Sequence, residues 1–288
     1  MTPLSKTTDT STLNEDVNLE DELPFWSAPF GIRLLNHIHY KKGLSALDIG
    51  FGTGFPLTEI AMRLGDTSRV FGIDPREEGI GRTRKKLSFY GIKNTELIKG
   101  EAENIPLPNL SMDLVCSNNG LNNVSDMGKA ISECSRILKP GGQFIQTFNL
   151  KTTMREFYDI MEKVFTEMNM GSALEKMHQH IYQKRKPLEE VVKKLEKHRF
   201  SIREIIKDQF EYKFADGEAM LNHFAIKTDF ASEWRKIAGN EREEAVFDRI
   251  RELISVYVQE IGCFKLTVPF VLVDCEKNPE PMRKYNRK

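Results

Sequence analysis

One segment restricts the fold of this chain more than any other feature. It is ALDIGFGTG at 46–54, a short apolar run that ends in three closely spaced glycines. The run Ser45–Ile49 reads as a buried strand, and Gly50, Gly52 and Gly54 follow it before a helical pattern begins. Glycine is required where the backbone turns sharply, or where a ligand touches the main chain with no Cβ in the way. The segment therefore predicts a strand–loop–helix unit that binds an adenosine-containing ligand over the end of its first strand.

Short apolar runs alternate with amphipathic stretches through the first half of the chain. The runs that read as strands are Ser45–Ile49, Arg69–Ile73, Thr95–Lys99, Leu114–Ser117 and Gln143–Phe148. Two later runs, at 201–214 and 264–275, predict an antiparallel pair that closes the sheet. Strands that alternate with helices imply a parallel sheet covered on both faces. The chain therefore predicts an α/β fold, a doubly wound seven-stranded sheet of the Rossmann-like type.

The segments outside the sheet divide the chain further. We expect a flexible tail at 1–22, an N-terminal cap helix at 23–43, a cofactor-binding core at 44–150, a helical segment at 151–200, closing strands at 201–216 and 263–277, and an inserted helical cap at 217–262. Apolar and aromatic side chains of the helical parts predict a chamber for an uncharged or partly apolar small molecule. These side chains are Phe157, Tyr158, Tyr182, Phe224, Phe230 and Trp234. The basic run KRK at 184–186 is interpreted as a solvated helix end.

Charge balance and the distribution of apolar residues argue against several classes of protein. Lysine plus arginine and aspartate plus glutamate both total 42, so the chain has no net charge and no nucleic acid partner is expected. The longest apolar stretch, Leu266–Val273, contains Pro269 and is far shorter than the roughly 20 residues of a membrane span. The N-terminus has neither a basic start nor an apolar run, and the four cysteines lack metal-type spacing. These features predict a cytoplasmic protein without a membrane segment or a metal site.

Further motifs follow the glycine segment. Asp74 ends the strand VFGID, twenty residues after Gly54, where an acid reaches the ribose hydroxyls of an adenosine ligand. The run GEAENIPLPNLSMDLV occupies 100–115, and RILKPGG occupies 136–142. The third glycine comes one residue earlier than in the dinucleotide pattern GxGxxG, and Asp48 lies two residues before the first. This spacing favours a ligand with a cationic amino acid end over one with a pyrophosphate.

In this order and spacing, the motifs resemble those of class I S-adenosylmethionine-dependent methyltransferases, in the branch that contains the ubiquinone and menaquinone C-methyltransferases. The resemblance covers roughly residues 44–150. It implies that S-adenosylmethionine is the cofactor, that S-adenosylhomocysteine is its product, and that the cofactor is bound by residues of these motifs. Those residues are Asp48, Gly50, Phe51, Gly52, Thr53, Gly54, Asp74, Pro75, Glu101, Ala102, Glu103, Asn118 and Asn119.

The resemblance also implies individual roles on the adenosine side of the cofactor. The carboxylate of Asp48 would lie near the ammonium group, and Asp74 would accept hydrogen bonds from the ribose hydroxyls. Glu101 would meet the adenine amino group, and the amide of Ala102 would meet an adenine ring nitrogen. Phe51 departs from the small or polar residue that the family often has between the first two glycines, so the contacts of its side chain are left open.

The segment after the fourth strand would close the site beside the sulfonium with the side chains of Asn118 and Asn119. An amide can orient a nucleophile but accepts no proton at neutral pH. If the acceptor must lose a proton, His223 in the predicted cap is the candidate base. The other five histidines are expected to be ordinary polar or partly buried residues.

The motifs thus predict methyl transfer from S-adenosylmethionine to a small, partly apolar metabolite with an oxygen, nitrogen or carbon acceptor. An RNA or protein methyltransferase is an alternative, although a base-modifying enzyme is expected to carry an Asn/Asp-Pro-Pro-aromatic motif where this chain has SNNGLN. A non-catalytic interaction protein that binds the cofactor would keep the same cofactor motifs. An NAD-dependent dehydrogenase is disfavoured by the glycine spacing.

Overall fold

The computed structural model describes residues 25–279, and the predicted tail at 1–22 lies outside this range. Within it the chain forms a seven-stranded sheet with flanking helices. The strands are β1 Ser45–Ile49, β2 Arg69–Asp74, β3 Thr95–Lys99, β4 Met112–Asn118, β5 Leu138–Asn149, β6 Phe200–Phe214 and β7 Phe264–Lys277. Each corresponds to one of the strands that the apolar runs predict.

The strand order is β3-β2-β1-β4-β5-β7-β6. Strands β1 to β5 run parallel, whereas β7 is antiparallel to both β5 and β6. This confirms the predicted doubly wound α/β sheet with an antiparallel closing pair. The order reverses between β1 and β4, because β2 and β3 extend the sheet on one side and β4 and β5 extend it on the other. In open α/β sheets, ligands bind at the carboxyl ends of the strands at such a reversal.

Helices cover the sheet and form an additional layer beyond its closing strands. They are α1 Ala28–Leu35, α2 Leu57–Leu64, α3 Glu77–Phe89, α4 Met127–Ile137, α5 Arg155–Glu167, α6 Gly171–Lys184, α7 Leu188–Lys197, α8 Gly217–Asn222, α9 Phe224–Ile226, α10 Ser232–Ala238 and α11 Glu243–Ile261. A π-helical turn, Lys227–Ala231, joins α9 to α10. Helices α8 to α11 lie between β6 and β7, in the segment that the sequence predicts to be a cap.

Successive residues of β1 join different apolar cores because side chains alternate across a strand. Leu47 packs with residues of α4, whereas Ala46 packs with residues of α1 and α2. A third core joins α5, α6 and α8 to α11 around Trp234, and it includes Phe214 at the end of β6 and Phe264 at the start of β7. The helical layer therefore has a core of its own that is continuous with the ends of the closing strands.

Helix α1 is attached to the carboxyl end of β4 through Asn118. The Nδ2 of Asn118 donates to the carbonyl oxygen of Ser27 at 3.0 Å, and its Oδ1 accepts from the hydroxyl of Thr147 at 2.8 Å. Gly31 allows the helix to approach, since a Cβ at this position would overlap the ring of Phe55. The side chain of Asn118, which the resemblance assigns to the cofactor site, thus holds the helix that covers this end of the sheet.

The loops that follow β1 and β4 meet backbone to backbone. Gly50 has a φ of +74°, and a Cβ on it would lie 2.7 Å from the Cα of Gly120. A Cβ on Gly120 would overlap the carbonyl oxygen of Ile49 and lie 2.8 Å from the Oγ of Ser117. Glycine is therefore needed at both positions for the two loops to pack against each other at the reversal of the sheet.

We expect Gly120→Ala to lower the free energy of unfolding by about 1–3 kcal/mol, because the added methyl group must displace backbone atoms. Gly81→Ala is a matched control, since Gly81 lies in α3 and a Cβ there meets nothing within 4 Å. Alanine in place of glycine should stabilise this helix by up to about 1 kcal/mol. Urea denaturation measures both effects. A Gly120→Ala variant as stable as Gly81→Ala would contradict the close packing of the loops.

Candidate cofactor and acceptor cavity

A cavity of about 780 Å³ opens between the carboxyl ends of the strands and the helical layer. Six of the residues that the resemblance implies line its sheet side, and they are Gly50, Asp74, Pro75, Glu101, Ala102 and Asn119. The opposite side is lined by residues that precede α1, by the end of α6 and by the segment around α10, including Trp26, His180, Lys184, Arg185, Asp229, Phe230 and Glu233. The carboxyl ends of the five strands β1 to β5 and the helical layer thus enclose one volume.

The carboxylate of Asp74 is held at the end of β2 by two backbone hydrogen bonds. The N–H of Gly52 donates to Oδ2 and the N–H of Arg76 donates to Oδ1, each at 2.9 Å. The Nε of Arg76 also lies 3.4 Å from Oδ1. A carboxylate has about four acceptor positions, so this group keeps capacity for hydroxyl donors from the cavity that it lines.

Asp48 lies on β1, directly behind the residues of the cavity wall, and is 1% exposed. The Sγ of Cys116 donates to its Oδ1 at 3.6 Å, whereas Oδ2 has no hydrogen-bond partner within residues 25–279. Burial raises the pKa of this carboxyl from 3.8 to about 7, and the negative charge of Asp74 adds to the rise. A positive charge brought close to Asp48 would stabilise its ionised form and lower this pKa.

Two amide side chains of the cavity wall have buried atoms without partners. Asn119 has a φ of +61°, donates its backbone N–H to the carbonyl of Thr147 at 3.1 Å, and accepts from the Nδ2 of Asn122 at 2.8 Å. The Nδ2 of Asn119 and the Oδ1 of Asn149 form no hydrogen bond with any described residue. Buried polar atoms are satisfied in most folded proteins, so these two mark places where a ligand or water would be bound.

The remaining residues that the resemblance implies do not line the cavity, and they are Asp48, Phe51, Gly52, Thr53, Gly54, Glu103 and Asn118. Phe51 packs into the core against β2, where a Cβ on Gly72 would lie 2.7 Å from its ring. Its contacts, left open by the sequence, are therefore those of a core residue. Glu103 accepts from the N–H of Asp126 at 3.0 Å. The roles of these residues toward a cofactor stay predictions.

His223, the predicted base, lies between α8 and α9 and is not among the residues that line the cavity. Its ring centroid is 6.0 Å from that of Tyr212 and 5.4 Å from that of Phe214. Its Nδ1 is buried and has no hydrogen-bond partner in the described part of the chain. The catalytic role of His223 stays a prediction, and the histidine that does line the cavity is His180 on α6.

Three of the six aromatic residues that were expected to line a chamber, Phe157, Tyr158 and Trp234, hold the helical layer together instead. Phe157 and Trp234 are fully buried, with ring centroids 4.0 Å apart, and the indole N–H of Trp234 donates to the hydroxyl of Tyr158 at 3.0 Å. Phe230 does line the cavity, beside Trp26, with 4.9 Å between the ring centroids. The aromatic surface of the cavity is therefore smaller than the sequence suggests.

The basic run at 184–186 is only in part the solvated helix end that the sequence suggests, because Lys184 is exposed whereas Arg185 is buried. Lys184 and Arg185 both line the cavity, and Arg185 is only 4% exposed. The expectation was wrong for Arg185 because a charged run at the end of a helix is usually solvated, and the sequence does not show which elements pack over it. Together with His180, these residues place three basic side chains at the cavity end of α6.

A family model described as a methyltransferase domain matches residues 40–236. The chain belongs to this methyltransferase family. The methyltransferase is 31% identical over 147 residues to a protein of Saccharolobus solfataricus named "Probable cobalt-precorrin-6B C(15)-methyltransferase (decarboxylating)", a match that covers 50% of this chain and 72% of the relative. It is 34% identical over 106 residues to the ubiquinone/menaquinone biosynthesis C-methyltransferase UbiE of Enterobacter sp. (strain 638), and that match covers 36% of this chain and 42% of the relative. The match therefore spans less than half of the quinone enzyme.

Solved structures share the fold of the methyltransferase at low sequence identity. The YcgJ protein of Bacillus subtilis is 14% identical, with a TM-score of 0.58 over 88% of this chain and 99% of the other. Geranyl diphosphate C-methyltransferase of Streptomyces coelicolor A3(2) is 14% identical, with a TM-score of 0.55 over 96% of this chain and 89% of the other. The family match and the shared fold confirm the methyltransferase assignment that the motifs predict.

Within residues 25–279 of the methyltransferase, no helix combines the length and the apolar character needed to cross a membrane. The same residues contain no group of three or more histidine, cysteine, aspartate or glutamate side chains arranged to hold a metal ion. All four cysteines are free thiols.

We expect Asp48→Asn to change how the stability of the ligand-free methyltransferase depends on pH. Because the pKa of Asp48 is raised from 3.8 to about 7 in the fold, its stabilising contribution is complete below pH 3.8 and is lost as the pH rises through 7. An asparagine does not titrate, so the stability of the variant relative to wild type should increase by about 2–3 kcal/mol between pH 5 and pH 8.

Chemical denaturation at several pH values measures this difference. Asp66→Asn, at an exposed position after α2, is the matched control and should follow wild type at every pH. A constant difference between Asp48→Asn and wild type from pH 5 to pH 8 would contradict the raised pKa.

Proposed function

We propose that this methyltransferase transfers a methyl group from S-adenosylmethionine to a small molecule bound against the helical layer. One observation carries the proposal: the cavity that holds Asp74, Glu101 and Ala102 at the strand ends also contains His180, Arg185 and Phe230. Its volume of about 780 Å³ falls in the range of roughly 300–1,000 Å³ that small-molecule sites occupy. One wall would bind the cofactor and the other would bind the acceptor.

The residues of the sheet side fit the proposed cofactor. The buried carboxylate of Asp74 suits a pair of ribose hydroxyls, and the contact between Gly50 and Gly120 keeps side chains out of the space above the strand ends. The unpaired Oδ2 of Asp48 and the raised pKa of its carboxyl suit a cationic amino acid group placed near the first loop. The buried, unpartnered Nδ2 of Asn119 provides a donor at the boundary between the two halves.

The relatives support a small acceptor without identifying it. The protein of Saccharolobus solfataricus is named for a precorrin, and the enzyme of Enterobacter sp. is named for ubiquinone and menaquinone. These names belong to proteins that the chain matches over only part of its length. The acceptor of this methyltransferase is therefore inferred from its own cavity.

When bound, S-adenosylmethionine supplies a methyl group that is already electrophilic, so the chain mainly has to align the acceptor and exclude water. If the acceptor must lose a proton, His180 is placed to receive it, because it lines the cavity. Burial lowers the pKa of His180, and the positive charge of Arg185 lowers it further, whereas Glu233 on α10 acts in the opposite direction. The imidazole is therefore neutral at physiological pH and available as a base.

We expect Asp74→Asn to weaken the binding of S-adenosylhomocysteine by about ten-fold to a hundred-fold. A hydrogen bond to a charged group contributes about 1.5–3 kcal/mol, and the amide removes the charge and part of the acceptor capacity. Calorimetric titration measures the affinity. Asp66→Asn is the control, because Asp66 is exposed and is not among the residues that line the cavity.

Thermal unfolding of the same samples shows whether the variants remain folded. Unchanged affinity in a folded Asp74→Asn variant would remove Asp74 from the cofactor site.

Incubation of wild type with methyl-labelled S-adenosylmethionine and cell extract then tests the acceptor class. Label in the small-molecule fraction supports the proposal, whereas label confined to RNA or protein would contradict it.

A further inference from the structure

Arg185 is a buried cation that has no anionic partner among residues 25–279. Its side chain lines the cavity at the end of α6, and the residue is 4% exposed. Its Nη1 has no hydrogen-bond partner, and no carboxylate of residues 25–279 lies within salt-bridge distance of its guanidinium. The ring of Tyr158 lies beneath the guanidinium, 5.0 Å from ring centroid to Cζ. An arginine in this state is unusual, since buried charges are normally paired and hydrogen-bonded.

Arginine side chains carry their charge in proteins, so burial at this position leaves a charge that needs compensation. Stacking on Tyr158 compensates only part of the lost hydration. A fold that needed only packing at this position would be served better by an apolar side chain of similar volume. The charge is therefore explained best by a partner that lies outside residues 25–279 and that enters through the cavity.

The other charges of this wall indicate what the partner is. Lys184 lines the cavity beside Arg185, so positive charges dominate the end of α6. Of the two carboxylates that line the same side of the cavity, Glu233 pairs with Lys236 at 2.7 Å. The other, Asp229, raises the pKa of Tyr212 and is exposed. Neither carboxylate neutralises Arg185.

We propose that Arg185 binds an anionic group of the acceptor, a carboxylate or a phosphoryl group, and so determines that the substrate is a small anion. This inference rests on the proposed function, because it places the anion on the acceptor side of the shared cavity. The planar guanidinium presents paired N–H donors that match both groups. Trp26 and Phe230, with ring centroids 4.9 Å apart on the same cavity, supply an apolar surface for the remainder of the molecule. The acceptor is thus charged at one end and apolar at the other, so of the two alternatives that the sequence leaves open, an uncharged or a partly apolar molecule, it is the partly apolar one.

Binding of three related probes tests the inference. Benzoate, phenyl phosphate and the uncharged isostere benzamide are titrated calorimetrically into the protein saturated with S-adenosylhomocysteine. Wild type should bind at least one anion ten-fold or more tightly than benzamide, and the preferred anion distinguishes carboxylate from phosphoryl recognition. Arg185→Gln should remove this preference and leave the affinity for benzamide within two-fold of wild type.

Two further variants separate the charge from the shape of the group. Arg185→Lys keeps the charge but loses the planar donor pair, and it should retain a reduced preference for the anion. Lys186→Gln is the matched control, because Lys186 is the next residue, lies over the ring of Tyr182 and does not line the cavity. It should behave as wild type.

Wild type that binds S-adenosylhomocysteine but binds no anion better than benzamide would overturn the assignment of Arg185 and leave the proposed function intact. A folded Arg185→Gln variant that keeps the full anion preference would overturn it as well. Wild type that fails to bind S-adenosylhomocysteine would instead contradict the proposed function.

Discussion

The backbone contact between Gly50 and Gly120 sets how the loops after β1 and β4 leave the sheet, beside the cavity that both glycines line. β1 and β4 are neighbours at the reversal of strand order, and the loops that follow them must leave the sheet side by side. A side chain at either glycine would force the loops apart. When the two loops are packed together, Asp74, Glu101 and Asn119 at the ends of β2, β3 and β4 line one cavity. The N–H of Gly52 in the first loop also donates to the carboxylate of Asp74. This hydrogen bond fixes the position of the carboxylate relative to the glycine segment.

The two sides of the cavity carry different kinds of polar group. Asp74 and Glu101 lie at the strand ends, whereas His180, Lys184 and Arg185 lie on the helical side. A cofactor with a cationic centre and several hydroxyl groups is complementary to the first side, and an anionic acceptor is complementary to the second. Electrostatics would then place each molecule on its own wall and orient the two toward each other.

The sheet and its glycine segment could be predicted because their signals are local in the chain. Asp74 ends a strand of six consecutive residues, RVFGID, whose apolar centre is visible in the sequence. The three glycines follow β1 directly. The burial of Arg185 has no such signal. It depends on packing among α5, α6 and α10, and the periodicity of one helix does not show which other helices will cover it. The same reason explains why Trp234 and Phe157 were expected at the cavity, although they stack in a core.

Phe214 and Phe264 are cross-strand partners at the ends of β6 and β7. The segment 215–263 therefore leaves the sheet and re-enters it at the same place, so the antiparallel pairing of the two strands is complete without it. The entropy cost of closing such a loop grows only slowly with its length. During evolution, an insert of different length or sequence could replace 215–263 without changes to the sheet, provided that its apolar face fits α5 and α6. The part of the cavity lining that this segment supplies, which includes Asp229, Phe230 and Glu233, can thus diverge among descendants while the strand ends and α6 stay the same.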